Sequence, residues 1–291
     1  MSYHVTGCTI APPFTNTPWA GMTQDEADTF NASGNGWEQV TGRRMAATKK
    51  FFTGGVMPTS LSRQNMDRYY IRGVTVWACM TPAWDPPTRP SRAALDSTLA
   101  MWAAAGYTEN VIVVLWQEPM NTMPPSQWAA VMAYYGPTVK ARGFALGASL
   151  SRSGPGHASY PSAAMALDAL FSETSIVPDI MGLDYYANGN GWPAHTPDRV
   201  ASRADAHGIP FGLTEFNQQT ASRADATAYL NYIKTYFDDR AAAGKPPAAM
   251  IWYAGYPRGH GDITDPADYR VPLYQVLADA YEPSQPRRPP R

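Results

Sequence analysis

Residues 111–119 read VIVVLWQEP, a run of β-branched and aliphatic side chains that ends in polar residues. An apolar run without alternation is typical of a strand buried on both faces, as in a parallel sheet. Glu118 follows this run closely, and a charged side chain in such a place is costly unless it is paired or used. The stretch therefore predicts a buried parallel strand with a functional carboxylate near its end.

Seven further segments have the composition of strands. The plainest are residues 74–80 and 209–214, and the weaker ones are residues 3–9, 47–52, 144–149, 180–185 and 248–253. Between strands, the segments from Ser91 to Gly106 and from Ser222 to Gly244 carry apolar stripes that begin after a capping serine and stop at glycine. Eight alternating units predict an α/β fold, a (β/α)8 or TIM barrel. An open doubly wound sheet is the competitor, but neither a GxGxxG motif nor a P-loop follows the first strand.

Length and composition narrow the class of protein. The chain has 291 residues, of which 44% are apolar and 12% aromatic, so it can bury a large core and is not expected to be disordered. Its 23 Lys and Arg against 24 Asp and Glu give a net charge of −1, which argues against a nucleic-acid partner. No segment approaches the ~18 apolar residues of a membrane span. We expect one barrel domain over residues 1–281, followed by an extended Pro/Arg-rich tail over residues 282–291.

The cysteines and histidines offer no sign of a metal site. Cys8 and Cys79 lie inside apolar runs and are interpreted as buried free thiols. His260, Asp262 and Asp265 match no established ligand spacing, and a surface turn is expected there. We therefore predict neither a metal nor an organic cofactor.

The N-terminus shows no basic region followed by an apolar one, so no export signal is predicted. This leaves the localisation open between the cytoplasm and the outside of the cell, which would be reached by lysis or on a virus particle. A glycan-degrading component of a phage tail or lysis system would fit the second case.

A second glutamate, Glu215, directly follows the predicted strand at residues 209–214. In a barrel the active site forms at the carboxyl ends of the strands, and strands four and seven face each other across the mouth. Two facing carboxylates are the minimum equipment for cleaving a glycosidic bond. Glu118, beside Trp116 in the drier setting, is the better acid, and Glu215, which precedes Asn217, is the better nucleophile. Each glutamate alone could instead cap a helix or pair with a basic residue at the rim.

Four short motifs occur at four predicted strand ends. They are WQEP at residues 116–119, DIMGLDYY at 179–186, GLTEF at 212–216 and IWY at 251–253. Their order and spacing resemble the retaining (β/α)8 glycoside hydrolases of clan A. The resemblance implies that Glu118 is the acid/base and Glu215 the nucleophile. It further implies that Tyr185 approaches the nucleophile and that Trp252 forms the platform under the sugar.

Gln117 departs from the family pattern. Many members carry Asn immediately before the acid/base, where it holds the 2-hydroxyl of the sugar, and a mannanase-like branch carries His. Because Gln both donates and accepts hydrogen bonds, Gln117 remains a candidate for substrate binding.

Further side chains near strand ends are candidates for the site. Trp77 and Trp84 offer rings on which a sugar can stack, with Tyr186 among other such rings. Asp184 could orient a hydroxyl or the acid/base, and a structural hydrogen bond to a loop is equally consistent with its position. Lys49 and its neighbour Lys50 end the second strand, where one of them could approach Glu215 and keep its pKa low.

Together these observations predict an O-glycosyl hydrolase that cleaves a β-linked polysaccharide or glycoconjugate by double displacement. The alternative from another class is a non-catalytic barrel that binds glycan or forms part of a larger assembly such as a phage tail. An unrelated barrel enzyme, such as an aldolase or a metal-dependent hydrolase, is less favoured. The chain shows no Schiff-base lysine as clear as the two glutamates and contains only 5 His.

Overall fold

The computed structural model describes residues 6–9, 46–55, 73–85, 89–151, 163–187, 196–218, 223–253 and 270–281. Within them, eight parallel strands close into a barrel in the order of the chain, so the (β/α)8 prediction is confirmed. The strands are β1 Thr6–Thr9, β2 Ala47–Gly55, β3 Thr75–Pro82, β4 Val111–Leu115, β5 Ala145–Ser151, β6 Ile180–Ala187, β7 Phe211–Gln218 and β8 Met250–Tyr253.

Helices follow the strands from β3 onward in the described part of the chain. They are α1 Arg92–Ala104, α2 Pro125–Ala141, α3 Ala163–Glu173, α4 Thr196–Ala206, α5 Arg223–Ala242 and α6 Arg270–Tyr281. Short 3-10 turns occupy Tyr107–Glu109 and Pro119–Asn121. None of these described helices is long and apolar enough to cross a membrane.

Strand β4 shows why its sequence lacks alternation. Val111, Val113 and Leu115 point outward into the core that joins the sheet to the helices. Ile112 and Val114 point the other way, into a second core inside the barrel. Since both faces are buried, apolar residues are stabilising at every position of the strand.

The second core forms the floor of the barrel interior. It gathers side chains from β2, β3, β4, β6, the start of β8 and its approach. They are Ala47, Trp77, Cys79, Ile112, Val114, Ile180, Ala249 and Ile251. Trp77, fully buried, is the largest of them. This apolar layer leaves the polar side chains of the same strands to gather nearer the mouth.

The helix ends behave as predicted where they are described. Ser91 caps α1 by accepting a hydrogen bond from the amide of Ala94 at 3.2 Å, and the chain leaves this helix through Gly106 at a φ of 84°. Gly244, at a φ of 76°, follows α5 in the same way. A positive φ of this kind costs glycine little and other residues more, which is why both helices stop at glycine.

Some predicted features lie outside the described residues. They include Ser222, the loop with His260, Asp262 and Asp265, and the tail at residues 282–291. Cys79 is a free and buried thiol, as predicted. Among the described residues, no three His, Cys, Asp or Glu side chains are grouped so that they could hold a metal ion.

Candidate active site

The chain turns sharply where β4 ends, at the motif that carries the first glutamate. Trp116 has a φ of 67° and Glu118 a φ of 46°, a left-handed conformation that is unfavourable for side chains of this size. Two hydrogen bonds hold the turn: the amide of Trp116 donates to the carbonyl of Met80 at 2.7 Å, and that of Glu118 to the carbonyl of Ser149 at 3.1 Å. The neighbouring strands β3 and β5 therefore impose the strained turn, and such strain is concentrated at functional sites.

The Glu118 side chain lies half-buried at this turn. Asn121, three residues on, donates from Nδ2 to Glu118 Oε2 at 3.2 Å, and the Asn121 amide oxygen accepts from Ser151 Oγ at 3.2 Å. Burial raises the pKa of Glu118 to about 8, and repulsion by the Asp184 and Glu215 carboxylates adds to this shift. Glu118 therefore retains its proton to a higher pH than an ordinary glutamate.

A bulge in β7 turns the second glutamate toward the interior. Along the pairing of β6 with β7, Leu213 and Glu215 face consecutive residues of β6, so Thr214 is an additional residue. Strict alternation would place Glu215 on the same face as Leu213, which packs against the helices. Because of the extra residue, Thr214 and Glu215 both face the interior, and Phe216 returns to the helix side.

The Glu215 carboxylate is only 3% exposed and is contacted on both oxygens. Lys49 Nζ lies 2.9 Å from Oε1, and Gln117 Nε2 donates to the same oxygen at 3.2 Å. The Tyr186 hydroxyl donates to Oε2. Burial raises the pKa of Glu215 to about 7, and the Lys49 ammonium opposes that shift. Of the two glutamates, Glu215 is thus the one that ionises more readily.

Lys49 is the lysine of the predicted pair that reaches the site. Its Nζ contacts Ser149 Oγ at 2.9 Å and the two Asp184 oxygens at 3.1 and 2.9 Å, in addition to Glu215. Burial disfavours the charged ammonium, but attraction by Asp184 and Glu215 outweighs this effect and raises the pKa of Lys49. Lys49 is therefore held as a cation.

The sequence predicts that Asp184 contacts substrate, but the structure encloses its carboxylate beside Lys49. It is 1% exposed, and its oxygens accept hydrogen bonds from Lys49 and Ser149, and at 2.7 Å from Thr214 Oγ1. Since these groups enclose the carboxylate, it has no surface with which to bind a sugar. The prediction that Asp184 binds substrate is wrong, and the alternative of a structural contact is closer to the observed one.

The tyrosine that approaches Glu215 is Tyr186 and not Tyr185. Tyr185 is fully buried on the helix side of β6, with its ring centre 5.8 Å from that of Tyr229, whose hydroxyl donates to the Tyr185 carbonyl. Alternation along the strand puts Tyr186 on the same face as Asp184, two residues before it. Because neighbouring residues of a strand point to opposite faces, Tyr185 faces the helices and Tyr186 faces the barrel interior.

The three predicted tryptophans lie in different environments. Trp77 is fully buried in the barrel floor, so the prediction that it contacts substrate is wrong. Trp84 is half-buried, packs edge-on against Tyr134, and carries the Arg89 guanidinium 4.7 Å from its ring centre. Trp252 pairs through its backbone with Phe216 of β7, and its side chain lies outside the described part, so its role stays a prediction.

Three polar residues of the site were not predicted from the sequence. Asn121 contacts Glu118, while Ser149 and Thr214 contact Asp184. Asn121 has a local signal, since it ends the short turn that begins at Glu118. The two hydroxyls have none, because a small polar residue within an apolar strand is compatible with many environments.

Comparison with known proteins establishes the fold independently. No protein-family model and no curated protein sequence matches the chain. Among solved structures, an endo-β-1,4-mannanase of glycoside hydrolase family 26 from Cellulomonas fimi is 14% identical with a TM-score of 0.56, and the match covers 99% of this chain and 75% of that one. A family 39 β-xylosidase from Caulobacter crescentus is also 14% identical, with a TM-score of 0.61 and coverage of 94% and 70%.

A third solved structure, the endoglucanase Cel5A of Thermotoga maritima, is 12% identical with a TM-score of 0.55, and the match covers 94% of this chain and 96% of that one. At these identities the likeness establishes a shared barrel fold. The resemblance to the glycoside hydrolase barrels, first seen in four short motifs, is thereby confirmed at the level of the fold.

Proposed function

We propose that this chain is a glycoside hydrolase that cleaves a β-linked polysaccharide or glycoconjugate by retaining double displacement. Glu118 serves as the acid/base and Glu215 as the nucleophile. The observation that carries the proposal is that two glutamates of one site differ in their electrostatic surroundings. Burial and neighbouring carboxylates raise the pKa of Glu118, whereas the Lys49 cation opposes the rise in the pKa of Glu215. Two carboxyl groups with separated proton affinities are what general-acid and nucleophilic roles require.

In the first step, the Glu118 proton passes to the glycosidic oxygen as the bond from that oxygen to the anomeric carbon breaks. A carboxylate oxygen of Glu215 forms a bond to the same carbon, which gives a glycosyl ester and releases the leaving group as an alcohol. The hydrogen bonds from Gln117 and Tyr186 hold the carboxylate in a fixed orientation for this attack.

In the second step, Glu118 has become the base. It takes a proton from a water molecule whose oxygen bonds to the anomeric carbon, and the ester bond breaks with its electron pair returning to Glu215. The sugar leaves with the configuration it had in the substrate, and both glutamates regain their starting protonation. The names of the mannanase and the β-xylosidase with this fold state β-linked substrates, which supports the choice of substrate class.

Lys49 argues against the aldolase alternative. A Schiff-base lysine must lose its proton to attack a carbonyl, and enzymes lower the pKa of such lysines by desolvation or by a nearby cation. Lys49 instead faces two carboxylates, which raise its pKa. It therefore acts as a fixed cation and not as a nucleophile.

The first test is hydrolysis of a panel of aryl β-glycosides and β-linked polysaccharides. Glu215→Gln is expected to lose at least ~10⁴-fold in kcat on every substrate that the wild-type protein cleaves, because the attacking oxygen is removed. Glu118→Gln is expected to lose ~10²–10⁴-fold on polysaccharides. It should lose less on nitrophenyl glycosides, whose leaving group departs without a proton.

Glu173→Gln provides the matched control, since Glu173 is exposed at the end of α3 and should keep full activity. A protein that binds a polysaccharide from the panel without cleaving it would support the non-catalytic barrel instead. Equal losses for Glu118→Gln on good and poor leaving groups would contradict its role as the acid.

A further inference from the structure

We propose that Asp184 is a positioning residue that acts through Lys49: it shares the lysine cation with Glu215, so that Glu215 is ionised but not fully neutralised. The inference rests on the proposed function and adds to it a device that adjusts the nucleophile. Asp184 itself touches neither the substrate nor the reacting atoms.

The geometry of the ammonium group carries the proposal. An ammonium has three N–H donors, and among the described residues the polar contacts of Lys49 Nζ comprise three side chains. Ser149 Oγ, Asp184 Oδ2 and Glu215 Oε1 each lie 2.9 Å from Nζ. These partners belong to β5, β6 and β7, while Lys49 extends from β2 on the other side of the interior. The cation is thus fixed between two carboxylates at equal distance.

Asp184 is in turn held independently of Glu215. Thr214 Oγ1 donates to Asp184 Oδ1 at 2.7 Å, and Ser149 Oγ contacts both oxygens at 3.3 Å. The Lys49 and Asp184 side chains are fully buried, so solvent does not screen their attraction. A carboxylate anchored in this way stays beside the Lys49 cation whether Glu215 is free or esterified.

The consequence for Glu215 follows from charge balance. With Lys49 as its sole counter-ion, Glu215 would form a closed buried pair, and a carboxylate so neutralised is a poor nucleophile. With no cation, Glu215 would be protonated at neutral pH and could not attack. When Lys49 is shared with Asp184, Glu215 is ionised at neutral pH and still keeps enough negative charge to attack.

Other groups act on the same carboxylate and must be held constant in a test. In the described part of the chain, they are Cys79 of β3, Glu118 and Gln117 after β4, and Tyr186 of β6. All of these residues are retained in the Lys49 and Asp184 variants. Because Asp184 and Lys49 also act on the pKa of Glu118, the Glu118 titration is followed in the same experiment.

The two partners should shift the ionisation of Glu215 in opposite directions. Lys49→Met removes the attracting charge, so the Glu215 titration is expected to move up by about one to three pH units. Asp184→Asn removes the repelling charge and leaves the whole cation to Glu215, so the titration should move down by about one unit. In the double variant the shift should lie between those of the two single variants.

The test is a carbon NMR titration of protein labelled at the glutamate carboxyl carbons, because it needs no turnover. The signal that disappears in Glu215→Gln identifies the residue. Asp168→Asn is the matched control: it removes a carboxylate that pairs with Arg203 on the outer surface, and it should leave the Glu215 titration unchanged. Thermal unfolding of each variant shows which ones are folded, and Asp184→Asn alone decides the sign if Lys49→Met does not fold.

Opposite shifts support the proposal, and a matching movement of the acidic limb of kcat/KM supports it further. An unchanged or upward-moving titration in Asp184→Asn overturns it. If the shifts are opposite but the wild-type protein hydrolyses no glycoside, the charge sharing stands and the proposed function fails. If the wild-type protein hydrolyses a glycoside but the Asp184→Asn titration stays at the wild-type value, the proposed function stands and the charge sharing fails.

Discussion

Two glutamates of identical chemistry differ in this molecule because, within the described part of the chain, only Glu215 contacts a cation. Glu215 lies 2.9 Å from the Lys49 ammonium, whereas the Glu118 carboxyl receives a neutral hydrogen bond from Asn121. Both are removed from water, which raises the pKa of each. The difference between them is therefore set by Lys49, which lies 166 positions before Glu215 in the chain.

The raised pKa of Glu118 has a consequence for stability. A carboxyl group whose pKa is higher in the folded than in the unfolded protein binds its proton more tightly when folded, so it favours folding at low pH. That contribution is lost as the pH rises from the ordinary glutamate value, near 4.5, through the folded value of about 8. Glu118→Gln cannot ionise, so we expect it to match the wild-type melting temperature at pH 5 and to exceed it at pH 8.5.

Thermal unfolding at the two pH values measures this difference. Glu173→Gln again serves as the control and should follow the wild-type protein at both. A Glu118→Gln variant that is no more stable than wild type at pH 8.5 would show that the Glu118 carboxylate is not destabilising in the folded protein.

At the level of elements, strand composition was sufficient to predict the barrel but not the side of a strand on which each residue lies. All eight predicted strands occur, because runs such as residues 111–115 are apolar on both faces. The prediction of Tyr185 in place of Tyr186 was wrong because one position reverses a side chain. The bulge at Thr214 has no signature in the sequence GLTEF, since it depends on how β7 pairs with β6.

The bulge itself depends on a glycine in the neighbouring strand. A Cβ atom on Gly182 would lie 2.2 Å from Thr214 Cγ2, well inside contact distance. We expect Gly182→Ala to displace Thr214, lower the free energy of unfolding by about 1–3 kcal/mol, and reduce kcat because Glu215 follows directly. Urea unfolding and steady-state kinetics measure both effects.

Adding Thr214→Ser to Gly182→Ala removes the methyl group, which is the nearest clashing atom, and keeps the hydroxyl that binds Asp184, although its oxygen would still lie 2.5 Å from the added Cβ atom. This second substitution should recover part of the stability and part of the activity. Full activity in Gly182→Ala alone would contradict the dependence of Glu215 on the bulge.

Over the whole molecule, the barrel interior is divided between an apolar floor and a polar mouth. Trp77 and Cys79 lie in the floor, and the buried charges Lys49, Asp184 and Glu215 gather at the other level. The floor contributes to stability, and the mouth contains the groups able to carry out chemistry. This division could be predicted from the fold in general, but the assignment of Trp77 to the floor could not, because Trp77 lies in the middle of the predicted strand at residues 74–80, where either level is possible.

Substitution in the floor should separate stability from activity. Trp77→Phe is expected to lower the free energy of unfolding by on the order of 1–2 kcal/mol, because the smaller ring leaves a cavity. The loss should lie at the low end, since the Trp77 indole N–H is buried without a hydrogen-bond partner among the described residues. KM should remain at the wild-type value, and a severalfold increase in KM would instead place the ring in contact with substrate.

The most direct measurement of the central claim is covalent trapping of the nucleophile. A 2-deoxy-2-fluoro analogue of whichever aryl β-glycoside the protein cleaves slows both steps but the second more, so the glycosyl ester should accumulate. Mass spectrometry of the digested protein is then expected to show one added glycosyl unit on the peptide that contains Glu215, and no such addition in Glu215→Gln. A label on another residue, or an active enzyme that accumulates no ester and releases the inverted sugar, would contradict the account.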